Sequence, residues 1–556
     1  MKSNKGFVIL TLMFVLGACT KLDTKLHDSL TPGGSGGGGL DPQSLLNNTY
    51  NAMLGPFTNQ DQIFSLQETT TDECLVPTRG GDWDDNGVWR TLHAHTWDGT
   101  HTQALTVFIN LGQIESNATT VLANSPSADQ AAQAIFLRSL AQYYYLNLYG
   151  QVPYRTVAKY NSIDAAPVMP AQDAIDTMTT NLTGVINTLS YNGPAGQLNY
   201  PNKASPDAAR FLLMKLLLNK QSFLNRQAPA AADAGDMAQV IALGNAIIAT
   251  GKYSLTPYYF DNFGPNNGGY DSSYGYGPGK EAIFAFPNRP GVPQVSGINS
   301  AGSDARWMMA LHYNSFGHPP PGPGQPVIGP YGGAGWNGFS TVADFYNSFG
   351  ASDTMRLGNV YYPGTTNGSG IKVGLLEGQQ LDEHGANRVD RNGNPLMFNL
   401  NVSLVEPDPQ TLEGDGVRII KYAPDLENYN GGQQGNQLQI FRYADVLLMI
   451  AEAELRTGDA TSALTIVNQL RVARKADPLA TLSLVNTSNL YDETTLLSER
   501  QKEMYWESWR REDLIRFGVF LQPWALKTTD DPKYLLFPIP STQLVANPNL
   551  KQNPGY

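Results

Sequence analysis

Two blocks of helical periodicity, separated by a long stretch that cannot sustain it, restrict this chain to a helical body with an irregular insertion. Within 128–149, Leu137, Ala141, Tyr144 and Leu148 recur at i, i+4, i+7 and i+11, one face of a 3.6-residue helix. Gly150 stops that helix, and Pro153 lies just beyond it. Further helices are read over 43–54, 103–121, 171–189, 207–224 and 237–250. Periodicity returns at Leu438, where Ala444, Leu447, Leu448, Ala451 and Leu455 form a stripe closed by Gly458. Asp459 then caps a helix carrying Ala463, Leu464, Val467 and Leu470. Two such helices, with small residues where they cross, make an antiparallel hairpin like one tetratricopeptide (TPR) repeat, without that repeat's full consensus. A last long helix is read over 494–511, and the tail from Phe537-Pro538-Ile539-Pro540 is extended. The expected fold class is mostly α: a TPR-like helical-hairpin array with a loop-rich, partly β insertion.

That insertion, 251–435, is rich in Gly, Pro, Asn, Tyr and Phe, with runs such as Gly317-His318-Pro319-Pro320-Pro321-Gly322. These residues punctuate turns. The many aromatics argue for order rather than disorder. Short strand pairs are expected, one of them around Asn392-Gly393, a hairpin-turn dipeptide.

The N-terminus reads as an export signal. Lys2 and Lys5 precede a short apolar run over 6–18, too short to span a bilayer. The run ends in Leu16-Gly17-Ala18-Cys19, which resembles a bacterial lipobox with Cys19 as the lipidated residue. Thr31-Pro32 and the Gly/Ser run over 33–39 then form a flexible tether. The expected organisation is a signal peptide at 1–18, lipidated cysteine and tether at 19–39, and one domain at 40–556. Within that domain 40–250 and 436–556 are helical and 251–435 is the insertion. The chain has two cysteines. With Cys19 acylated, Cys74 has no partner for an intrachain disulfide.

At 556 residues, 41% hydrophobic and 15% charged, the chain can bury a large core. A formal net charge of -12 excludes nucleic acid as a partner and favours an uncharged ligand.

Four segments, in order, resemble signatures of the SusD/RagB family. They are Ala141-Gln142-Tyr143-Tyr144-Tyr145-Leu146-Asn147-Leu148-Tyr149-Gly150-Gln151-Val152-Pro153; Arg442-Tyr443-Ala444-Asp445 through Glu452-Ala453; Glu499-Arg500 through Arg510-Arg511-Glu512-Asp513-Leu514; and the closing Gln552-Asn553-Pro554-Gly555-Tyr556. Asp353-Thr354-Met355-Arg356 resembles the family's mid-chain acid–arginine element. Ahead of Ile114-Glu115-Ser116-Asn117, where many members have an aromatic, stand Val107 and Leu111. The resemblance implies a lipid-anchored outer-membrane protein facing the cell exterior. It also implies binding of an oligosaccharide or polysaccharide, or a peptide in some branches, and delivery to a SusC-like TonB-dependent transporter without catalysis. Arg442, Glu452, Arg510 and Asp513 are then expected in interhelical salt bridges.

A sugar site needs flat rings for C–H faces and polar groups for hydroxyls. Two clusters have that chemistry. The first holds Arg79, Asp82, Trp83, Asp84 and Trp89, in a stretch expected to be a protruding loop. The second holds Tyr270, Tyr274, Tyr276, Trp307, Tyr331 and Trp336. Trp83 and Trp336 are the leading candidates, and Trp97 is assigned to the core. Asp82, Asp84 and Asn86 match the first half of a calcium loop, but His93 stands where the bidentate Glu belongs. No cofactor is expected beyond that weak calcium candidate. The rival from another class is a metal-dependent hydrolase built on His93-Ala94-His95 and His101, with the first two on one side of a strand. His27, His312, His318 and His384 add no ligand spacing to it.

Overall fold

The computed structural model describes residues 40–79, 83–192, 201–264, 267, 270–271, 275–276, 280–286, 338–362, 372–381, 386–387, 394–406, 414–423 and 436–556. Its helical body begins with α1 (Pro42–Ala52), α2 (Leu54–Thr58), a helical segment over Gln60–Thr69, and α3 (Val88–Ala94). Then come α4 (Thr102–Ala123), α5 (Ala128–Tyr149), α6 (Ala171–Val185), α7 (Pro206–Leu224) and α8 (Ala234–Ala249). The insertion contributes the short α9 (Ala343–Asn347) and α10 (Thr354–Leu357). The body resumes with α11 (Tyr443–Thr457), α12 (Ala460–Ala473), α13 (Leu496–Met504), α14 (Arg510–Arg516) and α15 (Ser541–Ala546).

Capping chemistry sets these boundaries. Ser127 Oγ accepts from the Gln130 N–H at 3.3 Å while the Gln130 side chain accepts from the Ser127 N–H at 2.9 Å, which starts α5 reciprocally. Ser205, Asp233, Asp459 and Thr495 each accept a backbone N–H at the start of α7, α8, α12 and α13. Consecutive helices pack as antiparallel pairs, α4 with α5, α6 with α7, and α11 with α12, in a TPR-like array. The predicted stripe of α5 is buried, but so is most of that helix, which is clasped by α1, α4, α6 and α7. Its tyrosines then need internal partners. Tyr143 Oη donates to Glu512 Oε2 at 2.6 Å, and Tyr149 Oη to the Ala104 carbonyl at 2.6 Å. Asn553 of the closing motif donates to the Tyr149 carbonyl at 3.0 Å, which fastens the C-terminal segment to the end of α5.

The strands are short, and two of their pairings, those of residues 78–79 with 405–406 and of 282–286 with 438–442, join the insertion to the body. β1 (Thr78–Arg79) lies parallel to β11 (Val405–Glu406), and β2 (Val152–Pro153) antiparallel to β3 (Val168–Met169). β4 (Tyr270–Asp271) pairs β5 (Gly275–Tyr276), and β6 (Ala282–Phe286) pairs β13 (Leu438–Arg442). β7 (Gly358–Tyr361), β8 (Lys372–Leu376) and β12 (Arg418–Ile420) form one sheet, and β9 (Gly378–Gln379) pairs β10 (Met397–Phe398). Asn392-Gly393, the predicted hairpin turn, lies outside the described residues.

Two helix predictions need correction. Residues 438–442 are strand, because pairing with β6 buries Leu438 and Phe441 against the body; the helix begins at Tyr443. The helix read over 494–511 is two helices. Between α13 and α14, Trp506 and Ser508 adopt left-handed backbone (φ 57° and 68°). Two buried carboxyls hold this break: Glu73 Oε1 accepts from the Trp506 N–H at 3.2 Å, and Glu68 Oε1 from the Trp509 N–H at 3.0 Å. The start of α14 is thus capped from a segment more than 430 positions away.

The motif charges form buried bridges as expected, but only those of Glu452 and Asp513 join helix to helix: Arg442 closes strand β13, and Asp72, the partner of Arg510, lies in a turn. Arg442 pairs Glu503 at 2.7 Å, Glu507 at 2.7 Å and Glu281 of the insertion at 3.0 Å. Arg516 bridges Glu452 at 2.8 Å and Asp513 at 2.6 Å, and Arg510 pairs Asp72 at 2.6 Å. Arg356, from the mid-chain element, reaches Glu499 at 2.6 Å. Burial alone would raise the carboxyls of Glu452, Glu503 and Asp513; the arginines overcome it and hold them below the usual range. Pro42–Tyr556 form one compact unit. Among the described residues, no helix is long and apolar enough to cross a membrane.

Candidate ligand-binding corner

The stretch after β1 is the most contorted backbone described. Trp83, Asp85 and Asn86 take φ of 58°, 39° and 56°, and Gly87 follows at 80°. Asn and Gly adopt left-handed backbone readily; a tryptophan held there costs about 1–2 kcal/mol. Such strain concentrates at functional positions. The stretch is less of a loop than its glycines suggested, because a helical turn over Asp85–Gly87 leads into α3.

Trp83 is half-buried, with its ring edge-on to Trp89 (5.3 Å, 70°) and to Phe339 (5.6 Å, 84°). Gly338 covers part of the ring: a Cβ there would lie 2.5 Å from Trp83 Cε2, so only glycine admits this approach. Phe339 in turn touches Phe64 and Trp506, which roots the corner in the core. Beside the ring, Arg90 pairs with Asp84 at 2.6 Å and donates to Thr78 Oγ1. Both charged side chains remain partly open to solvent, at 26% and 49%. Trp89 is 3% exposed and donates from Nε1 to Asp85 Oδ2 at 2.7 Å. Its ring therefore backs Trp83, and its assignment as a ligand-stacking face is corrected. Trp97, 2% exposed, lies in the core as expected.

The other candidates divide as follows. Asp82, Tyr274, Trp307, Tyr331 and Trp336, with Cys19, lie outside the described residues. Arg79 is in β1, in backbone register with Glu406 of β11, and Tyr270 stands opposite Tyr276 across the β4–β5 ladder. Of the calcium candidates, Asp84 is engaged by Arg90 and Asn86 is exposed. Among the described residues, no group of three or more His, Cys, Asp or Glu is placed to hold a metal.

Of the histidine cluster, His93 lies in α3, His95 at its C-terminal end and His101 at the start of α4, none of them on a strand. Both ring nitrogens of His93 face carbonyls, of Cys74 and Ala525, at 2.9 Å. His95 Nε2 faces the Thr70 carbonyl at 2.9 Å, and its ring stacks on Phe520 at 4.8 Å. His101 caps α4 and faces the Val88 carbonyl at 3.0 Å. Burial pushes all three below the usual histidine range. Their work is packing. Phe339, and the part Gly338 plays against Trp83, went unnoticed in the sequence, because nothing local links them to Trp83, 255 positions before Gly338.

Comparison with known proteins follows the fold. The sequence model of the SusD family matches residues 248–556. SusD-like protein P38 of Formosa agariphila is 32% identical over 157 residues, 27% of this chain and 30% of that protein. Starch-binding protein SusD of Bacteroides thetaiotaomicron is 32% identical over 160 residues, 26% of each. The alignments thus span under a third of these relatives' own length. Among solved structures, a laminarin-binding SusD-like protein superposes with a TM-score of 0.66 at 16% identity, covering 93% of this chain and 99% of its own. Surface glycan-binding protein A of Bacteroides thetaiotaomicron, in complex with laminarihexaose, gives 0.63 at 18% identity, covering 92% and 98%. At such identities the likeness shows the fold alone.

Proposed function

The chain belongs to the SusD family, whose sequence model covers more than half of it, and from that premise we propose that it is a cell-surface glycan-binding lipoprotein without catalytic activity. Cys19 carries the lipid that holds it to the outer membrane, and the captured oligosaccharide passes to a SusC-like TonB-dependent transporter. The observation that carries the reading is the Trp83 corner: an indole in strained backbone, wedged by Gly338 and Phe339, beside the Asp84–Arg90 pair. An indole face suits the C–H face of a sugar, and the flanking charges suit its hydroxyls. Trp336 stands two residues ahead of Gly338 in the chain and is proposed as the second ring of the platform. Starch and laminarin, named for two similar proteins, are the first glycans to try.

Affinity electrophoresis tests this. The intact protein should be retarded in gels containing its polysaccharide, with Trp83→Ala running as in a blank gel while keeping its melting temperature. Truncating a ring of this kind weakens binding about thirtyfold. Equal retardation of Trp83→Ala and wild type removes Trp83 from the site. Retention of peptides but of no polysaccharide would move the ligand class to peptide.

A further inference from the structure

A cavity of about 300 Å3 opens where the C-terminal ends of α5 and α7 meet the 532–554 segment, a volume at the lower end of small-ligand sites. Phe223 and Leu535 supply apolar wall, Gln227 and Asn553 supply amides, and the charged lining residues are Arg226 and Lys533. No Asp or Glu lines it, in a chain whose formal net charge is -12.

Neither cation has a carboxylate within ion-pair distance among the described residues. The Arg226 guanidinium donates to main-chain carbonyls, of Phe223 at 3.1 Å, Asn147 at 3.2 Å and Leu146. Those three acceptors do not use all five of its N–H groups. The Lys533 ammonium forms no ion pair among the described residues: it lies over rings, 4.8 Å from the Tyr534 centroid and 5.5 Å from that of Tyr556, and its charge reaches Asp98 only at longer range. A third cation adjoins them. Arg511 is fully buried and donates from Nη2 to the Tyr534 carbonyl at 2.8 Å, next to the cavity residue Leu535. Its guanidinium sits 5.0 Å from the Phe520 and Phe537 rings, and its Nε and Nη1 have no acceptor. Burial, and after it the charge of Arg511, presses Arg226 down to about 9.

Buried or half-buried cations without a carboxylate in direct contact are costly, and an anion seated among them relieves that cost. We propose that this cavity binds a small molecule of roughly monosaccharide size through an oxyanion group, which Arg226 and Lys533 grip while Phe223 and Leu535 cover its apolar side. The carboxylate of an acidic sugar and free sulfate or phosphate share this chemistry. The site uses other elements than the Trp83 corner and stands independently of the reading given to that corner.

Calorimetric titration of the full chain at constant ionic strength tests the proposal, with sodium glucuronate, sodium sulfate and glucose as separate probes. Glucuronate or sulfate should bind and glucose should not; binding of glucuronate alone assigns an acidic sugar, and binding of sulfate as well assigns the bare oxyanion. Lys533→Met, which removes no hydrogen bond of the fold, should weaken that binding at least about tenfold, the weight of one charge-assisted contact. Arg226→Lys, which keeps the charge but loses the fork, should weaken it too, whereas Trp83→Ala should leave it unchanged. Glucose binding as tightly as glucuronate, no binding of either anion, or anion binding unaltered in Lys533→Met would each overturn the proposal.

Discussion

Replacing Glu73 by Gln should flatten part of the protein's pH–stability profile. Glu68 and Glu73 are both fully buried, and the Oε2 of each lacks a hydrogen-bond donor. One shared proton would satisfy both oxygens. Arg510 comes no nearer to Glu73 than 3.9 Å, because its close contacts, at 2.6 and 2.7 Å, go to Asp72. Burial therefore dominates: it raises Glu68 and pushes Glu73 up to about 7 from 4.5. The sign follows from linkage. The folded state keeps a proton that the unfolded chain releases, so this contribution is complete below about 4.5 and is lost as pH rises through about 7. A rise of that size corresponds to about 3 kcal/mol. In a chain of this size that is about 3 °C in melting temperature. The amide introduced by Glu73→Gln cannot ionise, yet its oxygen can still accept from the Trp506 N–H. Melting temperatures of wild type and Glu73→Gln, measured from pH 4.5 to 8, should thus diverge by about 3 °C in favour of the variant toward the alkaline end. Parallel curves would refute a shared proton at this break.

Other substitutions separate site from scaffold. Gly338→Ala puts a methyl group 2.5 Å from the Trp83 ring and should weaken glycan retention as Trp83→Ala does, with the melting temperature nearly unchanged; full retention would mean the ring can shift freely. Gly244 lets α8 approach α11, and a Cβ there would meet Ile450 Cγ1 at 2.5 Å. Gly244→Val should therefore destabilise by about 3 kcal/mol through overpacking, whereas Gly184→Val, with nothing within 4 Å, should not; thermal melts of the pair decide it. Cys19→Ser should shift the protein from the membrane pellet to the soluble fraction, and a variant that still pellets would rule out lipid at Cys19 as the anchor.

The helical body was legible because its determinants are local. Asp459 announces a helix start and the structure begins α12 there, while Ser127 with Gln130 and Ser205 cap α5 and α7 from within three residues of those helices' first turns. What misled the reading was always a partner distant in the chain. Leu438 to Arg442 carry apolar spacing that suits either state, and β6, some 150 positions earlier, decides for strand. The break at Trp506 is invisible locally, since the carboxyls that stabilise it are Glu68 and Glu73. The candidate site obeys the same rule more strictly. Composition can point to Trp83 and Trp89 as rings near carboxylates, but which ring is the more deeply buried depends on Phe339 and Gly338 arriving from the middle of the insertion. They arrive on Trp83 and Trp89 together, leaving Trp89 buried and Trp83 half-buried. On the proposed reading, ligand recognition here is coupled to how residues 338–339 pack on the body: Phe339 touches both indoles, so any change that displaces it alters the packing of Trp83 and Trp89 together, and with it the shape of the proposed platform.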